Sequence, residues 1–228
     1  MRAQRERTGS GSARRGVALI ALALALALGM ATASAARADA TVLGRFLEGL
    51  KSLRATFSES VADAHGKVVE QSSGELLVLR PGRFRWEIHP SGQSGAGQVM
   101  IADGRNLWFY DRDLAQVTVR PMDAALSATP AMLLSGGPHV LEAFAVSDAG
   151  RSDGLDWVRV VPKAPDADFR DALFGFAGNT LKRMILNDKL GETATLNFAR
   201  AERNAPVAMA EVSFTPPPGA DVIGKPAQ

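Results

Sequence analysis

An apolar side chain at every second position is the feature that most constrains this chain. Over residues 83–89, Phe84, Trp86 and Ile88 fall on one side, and Arg83, Arg85, Glu87 and His89 on the other. Successive side chains of an extended strand point to opposite faces, so this pattern describes a half-buried β-strand. The same period recurs over residues 116–120, 155–161, 181–186, 193–199 and 211–214, and the change to period two is expected at Thr56. Turn chemistry separates the runs: His65-Gly66 within residues 63–67, Arg80-Pro81-Gly82, Asp103-Gly104, and a hairpin loop over residues 187–191. Strands at this spacing predict an antiparallel meander or open barrel.

Helices are few. Val42, Phe46, Leu50 and Leu53, flanked by Leu43 and Leu47, predict an amphipathic helix capped by Asp39 or Thr41. Thr129-Pro130 opens a second, with proline in the first turn, and Ser135-Gly136-Gly137-Pro138 closes it. Between them lie Ala131, Met132, Leu133 and Leu134, too apolar for so short a helix unless it covers something. A third is expected near His139, with Val140, Leu141 and Phe144, and the Pro- and Gly-rich residues 216–228 read as an extended or loose end. A sheet covered on one face by short helices encloses space between the two layers.

The N-terminus has its own logic. Arg2, Arg5, Arg7, Arg14 and Arg15 precede fourteen residues, 17–30, that are apolar apart from Gly29. Two A-x-A sites follow, Ala33-Ser34-Ala35 and Ala36-Arg37-Ala38. Basic, apolar and small, in that order, is a secretory signal peptide, and the apolar run is short of the roughly 20 residues of a membrane span. Arg14-Arg15 is followed by Gly16-Val17-Ala18, a poor match to a twin-arginine signal. Residues 1–38 are therefore expected to be cleaved, leaving one domain over residues 39–228. The leader holds six of the 26 basic residues and one of the 24 acidic ones, leaving 20 against 23, a net charge of −3. That balance gives nucleic-acid binding no support.

Reactive constellations are missing. There is no cysteine, hence no disulfide, thiol nucleophile or lipidated N-terminal cysteine. His65, His89 and His139 have no metal-ligand spacing. Gly92-Gln93-Ser94-Gly95 is not a nucleophile elbow, Gly95-Ala96-Gly97 lacks the context of a nucleotide loop, and Asp111 and Asp113 flank their own counter-charge, Arg112. An enzyme is disfavoured, and no cofactor is implied.

Apolar residues and one arginine stand out instead. In Leu76-Leu77-Val78-Leu79-Arg80 both strand faces are apolar, so both are covered or one lines a cavity. Arg80 shares a face with Leu76 and Val78. Where that face is concave, the guanidinium needs hydrogen-bond acceptors, and backbone carbonyls at the end of a covering helix suit it; an exposed turn before Pro81 is the simpler alternative. Phe84, Trp86, Leu107, Trp108, Phe109 and Tyr110 form an aromatic and aliphatic stock that alternation alone assigns to core.

The ordered set Ser73-Gly74, Arg80-Pro81-Gly82-Arg83-Phe84-Arg85-Trp86, Ile101-Ala102-Asp103-Gly104, Leu107-Trp108-Phe109-Tyr110-Asp111, Thr129-Pro130-Ala131-Met132-Leu133-Leu134-Ser135 and Phe214-Thr215-Pro216-Pro217-Pro218-Gly219 resembles the periplasmic outer-membrane lipoprotein carrier family (LolA). The resemblance spans nearly all of residues 39–228. It implies a mainly β fold with some α, an unclosed antiparallel half-barrel whose short helices form a lid over an apolar cavity. It implies a monomeric periplasmic chaperone that takes acylated lipoproteins from an inner-membrane lipoprotein-releasing ABC transporter to an outer-membrane lipoprotein receptor. The family's lid-latching arginine maps onto Arg80, with its lid contact near Leu134 and Ser135, and a sensitive aromatic maps onto Phe84. The cavity expected on this basis is lined by Leu76, Val78, Phe84, Trp86, Ile88, Leu107, Phe109, Met132 and Leu133. A lipid- or lipoprotein-sensing regulator of the same fold is the alternative. The loop over residues 93–97 and the long leader depart from the family pattern.

If the leader is removed as its A-x-A sites predict, the exported protein begins at Asp39; intact-mass measurement of protein recovered from the envelope checks this.

Overall fold

The computed structural model describes residues 41–92, 97–122, 129–136, 140–165 and 167–227. The signal peptide expected over residues 1–38, His139 and most of the Gly/Ser loop before Val99 lie outside the described residues. Twelve described strands form one open sheet: β1 (Ser52–Ala62), β2 (Val68–Leu79), β3 (Arg83–Pro90), β4 (Gln98–Asp103), β5 (Asn106–Asp111), β6 (Gln116–Pro121), β7 (Phe144–Ser152), β8 (Leu155–Pro162), β9 (Phe169–Ala177), β10 (Thr180–Asp188), β11 (Thr193–Arg203) and β12 (Asp221–Ile223). Their order is β12-β6-β5-β4-β3-β2-β1-β11-β10-β9-β8-β7. Neighbours are antiparallel except β12, which runs parallel to β6. Two short α-helices, α1 (Val42–Leu47) and α2 (Pro130–Ser135), complete the half-barrel.

Register carries the alternation from strand to strand. Leu76 pairs with Trp86, Trp86 with Met100, and Met100 with Phe109. The parallel row is Val78, Phe84, Ala102 and Leu107. On the other side of β2 the concave face continues through Phe57, Phe198, Leu196, Met184 and Phe174. Edge-to-face contacts of Phe57 with Trp86 (5.8 Å) and Phe198 (6.0 Å) join the two halves. Each such buried side chain contributes about 1.5–3 kcal/mol relative to exposure.

The convex face of β4, β5 and β6 has its own small core of Val99, Ile101, Trp108, Val117 and Val119. The C-terminal segment covers it, the Phe214 ring packing at a tilt 5.5 Å from Trp108 and 5.9 Å from Tyr110. Leu77, on the outward side of β2, is also buried, so this strand is covered on both faces.

Three expectations are corrected here. The first helix ends at Leu47, and Leu53 lies in β1, because Gly49 at φ +64° turns the chain and strand pairing resumes at Ser52. Residues 211–214 are not a strand: Met209–Val212 is a 3-10 turn, closed by the Ala208 N–H donating to the Glu211 carboxylate at 2.8 Å. Of the two readings of the tail, the extended one holds. The tail adds β12 to the sheet, and the Ala227 N–H donates to Asn106 Oδ1 at 2.7 Å. The third helix is a single 3-10 turn, Leu141–Ala143.

Gly74 marks the tightest crossing of this sheet. A Cβ there would stand 2.0 Å from the Glu87 carbonyl oxygen and 2.7 Å from the Phe57 ring. Gly74→Ala is expected to destabilise the fold by about 1–3 kcal/mol, the usual range for overpacking, read as a lower urea midpoint with unchanged slope.

Candidate functional site

The concave face is where the expected residues converge. Leu76, Val78 and Phe84 are fully buried there, Trp86 and Leu107 nearly so, and Ile88 and Phe109 are half-buried toward the rim. Helix α2 lies over β2 and β3. Thr129 caps its start, its Oγ1 accepting from the Ala131 N–H at 3.4 Å, and Gly136 ends it in the left-handed region at φ +61°. Met132, Leu133 and Leu134 are at most 1 % exposed and share one apolar cluster with the sheet. The helix therefore fills the trough that it covers.

Arg80 sits at the end of β2, where the carbonyls of α1 run out. Its Nη1 donates to the Leu47 carbonyl at 2.8 Å and more weakly to that of Leu50 at 3.4 Å. Arg203 adds two more bonds, its Nη2 donating to Phe46 O at 2.9 Å and to Glu48 O at 2.7 Å. The last carbonyls of a helix have no internal partner and carry partial negative charge, so two guanidinium groups complete α1. The same Arg80 guanidinium packs against Gly136, where even a Cβ would fall 2.0 Å from Nη2. Partial burial lowers the pKa of Arg80 from its usual value.

The family resemblance implies a lid contact of Arg80 near Leu134 and Ser135. In the structure the hydrogen bonds of Arg80 named above go to the end of α1 and the turn that follows it, and the guanidinium touches the C-cap of α2 one residue further on, at Gly136. Ser135 is held by the next turn instead: the Gly82 N–H donates to the Ser135 carbonyl at 2.9 Å, while Ser135 Oγ donates to Met132 O at 2.8 Å. Leu134 is buried with the rest of the helix.

Two cavities remain under the rim away from Arg80. One of about 160 Å³ is lined by Glu59, Trp86, Ile88, Gln98, Met100, Phe109, Thr129 and Leu186. The other, about 240 Å³, shares Met100 and Phe109 and adds Leu107, Thr118, Arg120 and Asp168. A separate crevice of about 460 Å³ borders Arg80 between α1 and Leu141.

Glu59 was not among the residues the sequence singles out, although strand parity places it with Leu53, Ala55 and Phe57. Burial pushes its carboxyl above the usual carboxylate range; the Ser72 hydrogen bond opposes this and Glu70 adds to it. Ser72 Oγ donates to Glu59 Oε2 at 2.8 Å. Trp86 is the second polar surprise. The indole N–H groups of Trp108 and Trp157 donate to Asp103 (2.6 Å) and to the Ser152 carbonyl (3.2 Å). The buried Nε1 of Trp86 has no partner among the described residues, a deficit of about 1–3 kcal/mol for a group of this kind.

Fold and site together define an open β half-barrel with an apolar trough occupied by its own helix. Residues 48–215 match the family of the outer membrane lipoprotein carrier protein LolA, and the chain belongs to that family. It is 40% identical over 180 residues to an outer-membrane lipoprotein carrier protein of Dechloromonas aromatica, covering 79% of this chain and 85% of the relative. A namesake from Methylobacillus flagellatus is 38% identical over 190 residues, covering 83% and 91%. Among solved structures, the LolA superfamily protein NE2245 from Nitrosomonas europaea aligns with a TM-score of 0.45 at 12% identity, covering 76% of this chain and 96% of that one.

Because the folded pKa of Glu59 is raised, its ionisation opposes folding. Below the usual value of 4.5 the carboxyl is protonated in folded and unfolded chains alike, and stability is lost as pH rises through the higher folded value. Glu59→Gln is expected to raise Tm at pH 8 and to change it little at pH 4; a Tm difference that is flat across this range contradicts the assignment.

Proposed function

We propose that this chain is a periplasmic chaperone that holds the acyl chains of lipoproteins in the concave trough and carries them between membranes. The observation that carries this reading is the burial of Met132, Leu133 and Leu134. An apolar trough filled by a removable six-residue helix exchanges one apolar occupant for another. Family membership, and relatives whose names describe lipoprotein carriers, support the same cargo.

The energetics suit a carrier. Acyl burial is worth about 0.8 kcal/mol per CH₂, so a soluble carrier must match much of that for lipid to leave a bilayer. It must also let go. A lid that occupies its own cavity competes with the cargo and lowers the net affinity. Charge-assisted hydrogen bonds such as those of Arg80 are worth about 1.5–3 kcal/mol each, and in this reading they bias the balance toward closure and hence toward release.

The partners in this reading are an inner-membrane lipoprotein-releasing ABC transporter that loads the trough and an outer-membrane receptor that empties it. An export leader cleaved after Ala38 would deliver the chain to that compartment. The residues act by packing and hydrogen bonding, with no catalytic step. Arg80 is the latch and Leu76, Val78, Phe84, Trp86, Ile88, Leu107, Phe109, Met132 and Leu133 form the acyl-chain environment.

Incubating the purified chain with spheroplasts or transporter-containing vesicles and ATP is expected to bring newly made lipoprotein into the soluble fraction, bound to this protein. Absence of a soluble complex with an active transporter and compatible cargo would overturn the carrier reading. Arg80→Leu is expected to accept lipoprotein normally and to transfer it several-fold more slowly to receptor-bearing liposomes; transfer at the wild-type rate contradicts the latch.

A further inference from the structure

An acyl chain is never only hydrocarbon. It ends in an ester or amide carbonyl, and a cavity that takes the chain must place that oxygen somewhere. Along the trough, the side chains that meet at the described cavity between β1, β3 and β4 are mostly apolar: Trp86, Ile88, Met100, Phe109 and Leu186. Two polar groups in that wall are anomalous.

The first is the Trp86 Nε1–H. Trp86 is 8% exposed, its nitrogen is buried, and no acceptor among the described residues reaches it. The other two tryptophans of the chain satisfy theirs. A buried indole N–H normally finds a partner, so an unmatched one in a cavity wall identifies what the missing partner must be: an acceptor. An indole nitrogen cannot accept, which rules out a donor ligand there.

The second is Glu59, on the same face as Phe57 and lining the same cavity. Ser72 Oγ donates to its Oε2. Burial shifts the carboxyl toward the neutral acid, and in that form, though not as the anion, it carries an O–H donor.

We propose that Trp86 Nε1 and the Glu59 carboxyl form a polar subsite in the apolar trough that receives the carbonyl oxygens linking acyl chains to the lipoprotein N-terminus. The inference rests on the carrier reading above and adds to it which part of the cargo lies where. The linkage end of the lipid sits beneath the Thr129 end of α2, and the hydrocarbon extends along the trough that Met132, Leu133 and Leu134 occupy when the lid is shut. A cavity of about 160 Å³ is close in size to one that admits a benzene ring, which is room for a linkage and a few methylenes. The remaining hydrocarbon requires the helix to lift.

The test compares a lipopeptide bearing two ester-linked acyl chains with its ether-linked counterpart of equal chain length, by titration calorimetry below the micelle threshold at pH 4.5, the usual carboxylate value, where the raised folded pKa keeps Glu59 mainly neutral. Wild type is expected to bind the ester about tenfold more tightly, the discrimination of one buried hydrogen bond. Trp86→Phe keeps an aromatic ring and loses the donor. It is expected to bind the ether as wild type does and to lose most of the ester preference. Glu59→Leu is expected to reduce the preference, and Glu59→Gln, which keeps an N–H donor, to retain it. A diacyl phospholipid and its dialkyl analogue, run alongside, tell whether membrane lipid offers the same carbonyl; an ester preference in either pair supports the subsite. Equal binding of ester and ether by wild type overturns it, as does a Trp86→Phe protein that folds and keeps the full preference. Binding of neither lipid overturns the carrier reading itself.

Discussion

The guanidinium of Arg80 is the junction on which the arrangement of this molecule depends. Neither short helix is self-sufficient: α1 and α2 each have six residues, well below the length at which isolated helices persist in water. Each exists because something outside it completes it. For α1 that is a pair of arginines, Arg80 and Arg203, donating to four carbonyls between Phe46 and Leu50. For α2 it is apolar burial along its whole length, the Gly82–Ser135 hydrogen bond and the Arg80 plane laid against Gly136. One side chain thus touches the ends of both helices.

This division of labour separates affinity from control. The trough is built by register: once Leu76 faces Trp86 and Val78 faces Phe84, every second residue of β1 to β5 is committed to the concave face. A one-residue slip would turn that entire set outward. In the proposed cycle, control lies at the rim, in polar contacts worth about 1.5–3 kcal/mol each. The apolar terms are large and non-directional, and the polar ones are small and geometric. A protein that must hold and release a lipid needs both kinds, placed apart.

Much of this was legible in the residues. The β architecture followed from period two, and the buried helix from Met132, Leu133 and Leu134 crowded into a single turn of chain. Backbone acceptors for Arg80 were foreseeable, because a charge beside apolar strands needs them. Their owner was not: the carbonyls come from Leu47, 33 positions earlier, and only the fold brings them near. Glu59 was overlooked for the opposite reason. Its parity with Leu53, Ala55 and Phe57 was visible, yet a carboxyl breaks an apolar pattern and is easily taken as the pattern's end. The extended course of the tail was legible from its proline and glycine, but what orders it was not: Trp108 and Tyr110 receive Phe214 just before it, and β6 offers an unpaired edge to β12.

That last contact bears on a hazard every unclosed barrel carries. An open sheet has two free edges, and a free edge is a template for strands of other molecules. Here the β6 side is occupied by β12, a strand of only three residues whose own outer rim is short. The β7 side is interrupted by an irregularity between Asp148 and Arg151, and its exposed half bears charge. The ladder is never sealed around the interior, yet neither margin offers other molecules a long, flat, bare template. Openness to cargo belongs to the concave face, and protection against strand addition to both borders of the same sheet.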